Sequence, residues 1–179
     1  MTEPLYVRDP DAWQASLREG NAIQARKRVC ADALICDNRG RILLVNPSYK
    51  PDWDLPGGMA EANEPPVECV RRELREELGL DLSPARVLVV DWVPPHGPWD
   101  DMIAFVFDAG VVPREPVLLD GELDSFEFCD EMEIAGRLSP RLRRRVQAAL
   151  AARLTGRVAY LQDGRPVLSC LARQGSEVF

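Results

Sequence analysis

The sequence predicts an α/β (α+β) fold in which strands and helices build one domain. Four segments combine apolar residues with strong strand formers, as buried or half-buried strands do. These segments are residues 28–36, 41–46, 85–93 and 102–108. Two further segments, 65–78 and 139–154, carry apolar residues at helical spacing. Glycine and proline clusters separate the segments, so we expect short and well delimited elements.

Length, composition and charge exclude several classes of protein. A chain of 179 residues with 46% apolar residues fits a globular domain with a sizeable core. The formal net charge of −7 argues against a stable complex with nucleic acid. The longest apolar runs fall short of the roughly 18 residues of a membrane span, so we expect none. The N-terminus lacks a basic region followed by an apolar one, so we expect no signal peptide.

The cysteines predict free thiols in a reducing, cytoplasmic environment. Their number is odd, and no two form a C-x-x-C pair. They are Cys30, Cys36, Cys69, Cys129 and Cys170. His96 is the only histidine, which argues against a histidine-rich zinc site.

Residues 1–27 are predicted to form an N-terminal helical extension. Asp9 and Pro10 have the arrangement of a helix cap and first turn, and the helix would run through Leu17 towards Arg26. Two roles stay open for this helix. It covers an open edge of the sheet, or it pairs with a second chain and forms a homodimer.

The predicted strands form two neighbouring pairs. A turn at 37–40 joins the first two strands, and a loop of prolines and glycine at 94–101 joins the last two. We expect a loop at 109–116, then a short strand that ends at Phe128 and a short helix at 130–136.

The C-terminal part is predicted to be a helix followed by a small hairpin. Ser139 and Pro140 open the helix as cap and first residue. Four clustered arginines in this helix predict a solvated face, with nucleic-acid binding as the less favoured alternative. They are Arg141, Arg143, Arg144 and Arg145. The hairpin strands are expected at 157–161 and 166–169.

The helix at 65–78 begins at a proline pair and ends at a glycine. Pro65 and Pro66 suit the first turn, where a missing N–H costs nothing. Gly79 suits the left-handed residue that ends a helix. One apolar stripe runs along the helix, and it consists of Val67, Val70, Leu74 and Leu78.

Three carboxylates lie on one arc of this helix. Glu73, Glu76 and Glu77 stand at i, i+3 and i+4, where like charges repel by roughly 0.2–0.5 kcal/mol per pair. A divalent cation would reverse this repulsion, because Mg²⁺ and Mn²⁺ prefer oxygen ligands. Gly57 and Gly58 precede the helix and allow a ligand to approach the backbone closely.

The stretch from residue 58 to residue 80 resembles the Nudix box, the signature of the Nudix hydrolases. The family pattern is G-x5-E-x7-R-E-U-x-E-E-x-G-U, where U is a bulky aliphatic residue, and every specified position matches. The matching residues are Gly58, Glu64, Arg72, Glu73, Leu74, Glu76, Glu77, Gly79 and Leu80. The resemblance implies a Nudix domain at 28–135. Residues 136–179 lie outside the resemblance, and we expect them to pack on the same domain.

The resemblance also implies a fold, a reaction and a metal. The fold is an α/β/α sandwich with a mixed β-sheet. The reaction is hydrolysis of a diphosphate linkage in a nucleoside diphosphate derivative, with Mg²⁺ or Mn²⁺ as cofactor and a small-molecule substrate. By resemblance, the metal ligands are Glu73, Glu76, Glu77 and the carbonyl of Gly58. The general base is one of these glutamates or Glu122.

Three other roles follow from the resemblance. Glu64 and Arg72 are expected to hold the loop against the helix through a charge-assisted hydrogen bond. Glu122 is the candidate for a further catalytic acid that Nudix enzymes often carry before a short strand. Asp120 and Asp124 are alternatives to it, and a surface acid is the other interpretation of Glu122.

Three loop residues are candidate substrate-binding residues. Lys50 and His96 are positioned to meet a phosphate, and solvated side chains are the alternative for both. Trp99 is a candidate for stacking on a base, and the alternative is a packing anchor for its loop.

Two other functions stay open at this point. Some Nudix domains bind a nucleotide as sensors without turnover, although such domains often lack glutamates of the box. A hydrolase of a non-nucleotide diphosphate, such as a prenyl or sugar diphosphate, is the other alternative.

Overall fold

The computed structural model describes residues 3–112 and 114–167, and its centre is an 8-stranded β-sheet. The strands are β1 (Arg28–Cys36), β2 (Ile42–Pro47), β3 (Gly57–Met59), β4 (Arg86–Val93), β5 (Met102–Val111), β6 (Leu123–Cys129), β7 (Ala159–Gln162) and β8 (Arg165–Pro166). The helices are α1 (Leu5–Arg8), α2 (Pro10–Ile23), α3 (Pro66–Leu78), α4 (Glu131–Arg137) and α5 (Pro140–Thr155).

The sheet is mixed, as predicted. Its strand order is β6-β2-β1-β5-β4-β7-β8, and β3 pairs with β1 beside this path. β1 runs parallel to β5 and β4 runs parallel to β7, whereas the other pairs are antiparallel. β1 therefore lies at the centre, in contact with β5 on one side and with β2 and β3 on the other.

The sheet separates two hydrophobic cores, because alternate residues of a strand face opposite sides. Ala33 and Ile35 of β1 pack in a core with the buried residues of α3. Leu34 and Cys36 pack in a second core with the buried residues of α5. The arrangement is the predicted α/β/α sandwich.

Residues 57–59 before α3, where we expected a glycine loop, form the short strand β3. Gly57 pairs with Asp32 of β1, and Gly58 pairs with Ala31. Gly57 has a φ of 143°, and a Cβ there would lie 2.7 Å from the Cα of Asp32. The pairing forms because the missing side chain lets the two backbones approach, and apolar periodicity does not reveal such a strand.

Two predicted element ends also differ from the structure. β5 continues to Val111, beyond the expected end at residue 108, because it stays paired with β1 as far as Cys36. α2 begins at Pro10 with a capping bond from the N–H of Ala12 to Asp9, as expected. It ends at Ile23 rather than near Arg26, since the following residue already has an extended backbone that leads into β1.

The C-terminal elements belong to the same sheet and the same core. Ser139 caps α5 by accepting the N–H of Leu142, and β7 and β8 form the predicted hairpin. The last residues of the expected second strand, 168–169, lie outside the described residues, as does Cys170. The division of the chain at 27 and 135 stays a prediction. Within 3–112 and 114–167, no helix is both long and apolar enough to span a lipid bilayer.

Candidate active site

Helix α3 presents Glu73 and Glu77 to the glycine strand β3, because an apolar stripe anchors the helix on the sheet. Val70, Leu74 and Leu78 are fully buried in the core between α3 and the sheet. Gly79 ends the helix with a φ of 62°, and its N–H bonds to the last carbonyls of α3. The apolar stripe therefore fixes the rotation of the helix, and that rotation fixes the direction of the glutamates.

Glu77 is a buried carboxylate that contacts the glycine strand. It is 6% exposed, and one oxygen accepts the N–H of Gly57 at 3.4 Å. Burial, followed by the charge of Glu73, raises the pKa of Glu77 to about 8. A carboxylate held in this way is unfavourable in its charged form unless a cation lies beside it.

Glu73 lies directly against the backbone of Gly58. A Cβ on residue 58 would lie 2.6 Å from the carboxyl carbon of Glu73, so only glycine fits without displacing this side chain. Burial raises the pKa of Glu73 as well. Glu76 is the outer member of the three, with a side chain that is 56% exposed.

Arg72 joins the loop before α3 to the glutamates. It donates two hydrogen bonds to Glu64, at 2.9 and 3.0 Å, which confirms the predicted charge-assisted contact. The hydrogen bond from Arg72 lowers the pKa of Glu64 to about 2. Nε and Nη2 of Arg72 make the bonds to Glu64, and Nη1 donates to Glu73 at 2.9 Å and to Glu76 at 3.1 Å.

The donor set fits a divalent cation. A buried and a partly buried carboxylate, both with raised pKa values, an exposed carboxylate and a backbone carbonyl are oxygen ligands of the kind that Mg²⁺ and Mn²⁺ prefer. Within the described part of the chain, no three acidic, histidine or cysteine side chains already surround one point. Arg72 explains this, because it draws Glu73 and Glu76 to itself. A cation held by these two carboxylates would therefore have to displace Arg72 from them.

Glu122 lies near the box glutamates, at the start of β6. Its charge raises the pKa of both Glu73 and Glu77. Its N–H donates to Asp120 at 3.1 Å, and its carbonyl accepts the N–H of Ser48 at 2.8 Å. Asp120 also raises the pKa of Glu77. The backbone of Glu122 is thus fixed while its side chain stays exposed.

A cleft of about 400 Å³ opens beside the glycine strand. Gly58 and the three predicted substrate-binding residues, Lys50, His96 and Trp99, line this one cleft. The box glutamates are not among the residues that line it, but Glu73 and Glu77 contact Gly58 and Gly57. The structure therefore brings the three loop residues together in one cleft, and the glycine strand connects this cleft to the carboxylates.

Each loop residue in the cleft has a local partner. Lys50 forms an ion pair with Asp54. His96 has its Nδ1 atom 3.0 Å from the carbonyl of the residue two positions before it. Trp99 is 56% exposed, and the guanidinium of Arg28 lies 4.7 Å from its ring centre.

Sequence analysis missed several charged residues that line the cleft. They are Arg28, Asp32, Asp54 and Arg145. The prediction of a solvated arginine face is wrong for Arg145, which is only 6% exposed. A signal did exist, because Arg145 follows Leu142 by three positions and so shares the buried side of α5. Asp32, a charged residue inside an apolar strand, was the other available signal.

Comparison with known families identifies the domain. A family model described as the NUDIX domain matches residues 26–150. The chain belongs to the Nudix family. This membership and the sandwich fold confirm the predictions from the box.

Relatives of this Nudix chain share short segments with it. An RNA pyrophosphohydrolase of Halorhodospira halophila is 42% identical over 57 residues, which cover 32% of this chain and 30% of that protein. An 8-oxo-dGTP diphosphatase of Proteus vulgaris is 33% identical over 67 residues, covering 35% of this chain and 60% of that one. This chain therefore spans less than two thirds of the length of either relative.

A solved structure supports the fold over a longer range. The MutT protein from Methanosarcina mazei Go1 superposes with a TM-score of 0.62 at 25% identity. The superposition covers 74% of this chain and 99% of that one. The Nudix core of the two proteins is therefore the same.

Proposed function

We propose that this Nudix chain hydrolyses a diphosphate linkage in a nucleoside diphosphate derivative and requires a divalent metal. The observation that carries the proposal is the contact of Glu73 with Gly58 and of the buried Glu77 with Gly57, beside a cleft of about 400 Å³. The names of the two relatives, a pyrophosphohydrolase and a diphosphatase, support it.

We assign the cofactor as Mg²⁺ or Mn²⁺. Glu73, Glu76, Glu77 and the carbonyl of Gly58 would hold it. When bound, such an ion neutralises charge on the diphosphate and makes a water molecule more acidic. The chain's own contribution is the buried carboxylate of Glu77, which the N–H of Gly57 holds in place and which therefore needs little reorganisation during the reaction.

The proton of the attacking water requires a base on this chain. Glu122 and the box glutamates are the candidates for that base. Glu122 combines a fixed backbone with an exposed side chain beside Glu73 and Glu77, so it can exchange its proton with solvent.

The cleft would bind the rest of the substrate. Lys50 and His96 are proposed to contact phosphate oxygens, and Trp99 to stack on the base. Stacking on an exposed indole tolerates any base, so Trp99 would contribute affinity rather than base selectivity. A prenyl diphosphate has no flat ring that can stack on Trp99, so the stacking contribution favours a nucleotide over it.

Location and partners follow from the same observations. The cysteines Cys30, Cys36, Cys69 and Cys129 are buried free thiols, which suits the cytoplasm. The small-molecule substrate is the proposed partner, without a stable nucleic-acid complex. A homodimer through α2 is proposed because neither α1 nor α2 buries a residue and Trp13 and Leu17 remain exposed.

The direct experiment is a hydrolysis screen of the full chain. The substrates are nucleoside triphosphates, nucleoside diphosphate sugars, ADP-ribose, dinucleoside polyphosphates and prenyl diphosphates. Each reaction contains Mg²⁺, Mn²⁺ or EDTA, and released phosphate is measured with and without an added phosphatase.

We expect turnover of a nucleotide class with either metal and none in EDTA. Turnover confined to prenyl diphosphates would contradict the nucleotide assignment. Binding of a nucleotide without any turnover would replace the hydrolase with a sensor.

A further inference from the structure

Arg145 and Asp32 form a buried ion pair at the floor of the cleft. Nη1 of Arg145 is 3.6 Å from Oδ2 of Asp32, and the two side chains are 7% and 10% exposed. Both residues line the same cleft as Trp99. The pair thus offers a hydrogen-bond donor and an acceptor side by side to a ligand in the cleft.

Asp91 of β4 fixes the orientation of Arg145 by accepting a hydrogen bond from its Nε–H. Its carboxylate, which is fully buried, accepts the Nε–H of Arg145 at 2.9 Å. The N–H of Gly164 donates to the two oxygens of Asp91 at 3.1 and 3.2 Å. Among the described residues, the terminal nitrogens of Arg145 donate no hydrogen bond to the chain. These N–H groups therefore remain available for a ligand.

The local charge selects against an anionic ligand group at this point. Arg145 carries one positive charge, and Asp32 and Asp91 can carry two negative charges within 3.6 Å of it. A phosphate directly on this pair would add a third negative charge beside Arg145, and the other cations of the cleft, Lys50 and Arg28, already contact Asp54 and Trp99. A neutral group with one acceptor and one donor matches the pair instead.

We propose that Arg145 and Asp32 bind the edge of a nucleobase that carries a carbonyl next to a ring N–H. Arg145 donates to the carbonyl oxygen, and Asp32 accepts the ring N–H. Hypoxanthine, guanine and uracil present this edge. The inference rests on the proposed function only in taking the ligand to be a nucleotide.

Bases with an amino group next to a bare ring nitrogen fit less well. Adenine and cytosine present a donor where the other bases present a carbonyl, and an acceptor where they present an N–H. The guanidinium can only donate, and the ionised carboxylate of Asp32 can only accept. Burial, followed by the charge of Asp54, raises the pKa of Asp32 to about 7, so the acceptor is fully present above that pH, where binding is measured. Asp91 holds Arg145 in place, so the two partners cannot exchange positions. The mismatched base leaves buried polar groups unpaired.

The matched test is equilibrium binding of four nucleoside monophosphates to the full chain in EDTA. IMP and AMP differ only in the groups at this edge of the base. UMP and CMP differ by the same exchange of groups. Isothermal titration calorimetry measures each dissociation constant. We expect IMP and UMP to bind about tenfold or more tightly than AMP and CMP, because the mismatch leaves buried groups unsatisfied.

Two variants separate base recognition from a structural role. Asp32→Asn removes the obligate acceptor, so the preference for IMP over AMP should fall to within about twofold. Arg153→Lys is the control, since Arg153 lies on the same helix but pairs with Asp108 at 3.5 Å, outside the cleft. This control should keep the full preference. Thermal unfolding shows whether each variant is folded.

Equal binding of IMP and AMP by the wild-type chain, or tighter binding of AMP, would overturn the inference, as would no binding of any of the four. A preference that persists in folded Asp32→Asn would also overturn it. If Asp32→Asn does not fold, the wild-type comparison decides alone. Because EDTA prevents turnover, a base preference without hydrolysis under any metal condition would reject the proposed function and retain this inference.

Discussion

The carboxylate of Glu73 occupies the space that a side chain on Gly58 would need. A Cβ at residue 58 would lie 2.6 Å from the Glu73 carboxyl carbon. The glycine is therefore required by a neighbouring glutamate of the same motif. This relation links the two ends of the box, since it joins the short strand β3 to the third turn of α3.

Replacement of Gly58 by alanine should impair catalysis more than stability. The clash is with the end of a flexible side chain, so Glu73 moves and the fold survives. We expect kcat to fall by about 100-fold, as misplacement of a catalytic group by about 1 Å does. Steady-state kinetics and thermal unfolding measure the two effects. A Gly58→Ala variant with normal kcat would contradict the proposed position of Glu73.

Replacement of Gly57 by alanine should instead destabilise the fold. Its Cβ would meet the backbone of β1 at 2.7 Å, and its φ of 143° disfavours any L side chain. We expect a loss of roughly 2–5 kcal/mol in the free energy of unfolding, from strain and overpacking together. Urea unfolding measures the change.

Gly136→Ala is the control for both glycine variants. Gly136 lies in α4, and a Cβ there would have nothing within 4 Å. Alanine favours a helix by about 1 kcal/mol over glycine, so this control should be neutral or slightly stabilising. Similar urea midpoints for Gly57→Ala and Gly136→Ala would contradict the close approach of β3 to β1.

The metal-free protein should lose stability as the pH rises. Burial and Glu73 raise the pKa of Glu77 to about 8 in the folded state, against about 4.3 for an unfolded glutamate. Between these values the folded chain binds more protons than the unfolded chain, so the free energy of unfolding decreases with pH. Glu77→Gln removes this contribution.

Thermal unfolding in EDTA at about pH 6 and about pH 9 tests this linkage. The Tm of the wild-type chain should fall by at least about 3 °C more than that of Glu77→Gln. Added Mg²⁺ should remove the difference, because it binds the charged carboxylate. If the Tm of the wild-type chain and that of Glu77→Gln fell equally between the two pH values in EDTA, the raised pKa of Glu77 would be refuted.

Removal of the indole of Trp99 should weaken substrate binding. Stacking on an aromatic side chain contributes about 1–3 kcal/mol per base. Trp99→Ala should therefore raise KM for a nucleotide by about tenfold, and Trp99→Phe should recover most of the loss. Trp13→Ala, on the exposed helix α2, is the control and should leave KM unchanged. An unaltered KM in Trp99→Ala would leave Trp99 as a packing anchor for its loop.

The parts of the site that sequence predicts are those with a local pattern. Glu73, Glu76 and Glu77 follow from helical spacing, because their positions depend only on the helix that carries them. The contact of Arg72 with Glu64 likewise spans only eight residues. Strand β3 is different, since glycines lack the side-chain alternation by which strands are recognised.

The floor of the cleft depends on contacts that are distant in the chain. Arg145 contacts Asp91, which is 54 residues away. In sequence, the spacing from Leu142 places Arg145 on the buried side of α5, but that spacing does not show which residue pairs with it. The pairing of Asp32 with Arg145 requires the packing of α5 on the sheet, so no local pattern predicts it.

The central claim is that the carboxylates at the glycine strand, above all the buried Glu77, support metal-dependent hydrolysis. The most direct measurement is the initial rate of Glu77→Gln, beside wild type and Glu68→Gln, on the substrate found in the screen. Glu68 lies on the same helix but is exposed and pairs with Arg71 at 2.8 Å. We expect Glu68→Gln to match the wild-type rate and Glu77→Gln to lose at least about 100-fold in kcat, since a group of the reacting centre is removed. A folded Glu77→Gln chain with a near-normal rate would contradict the account.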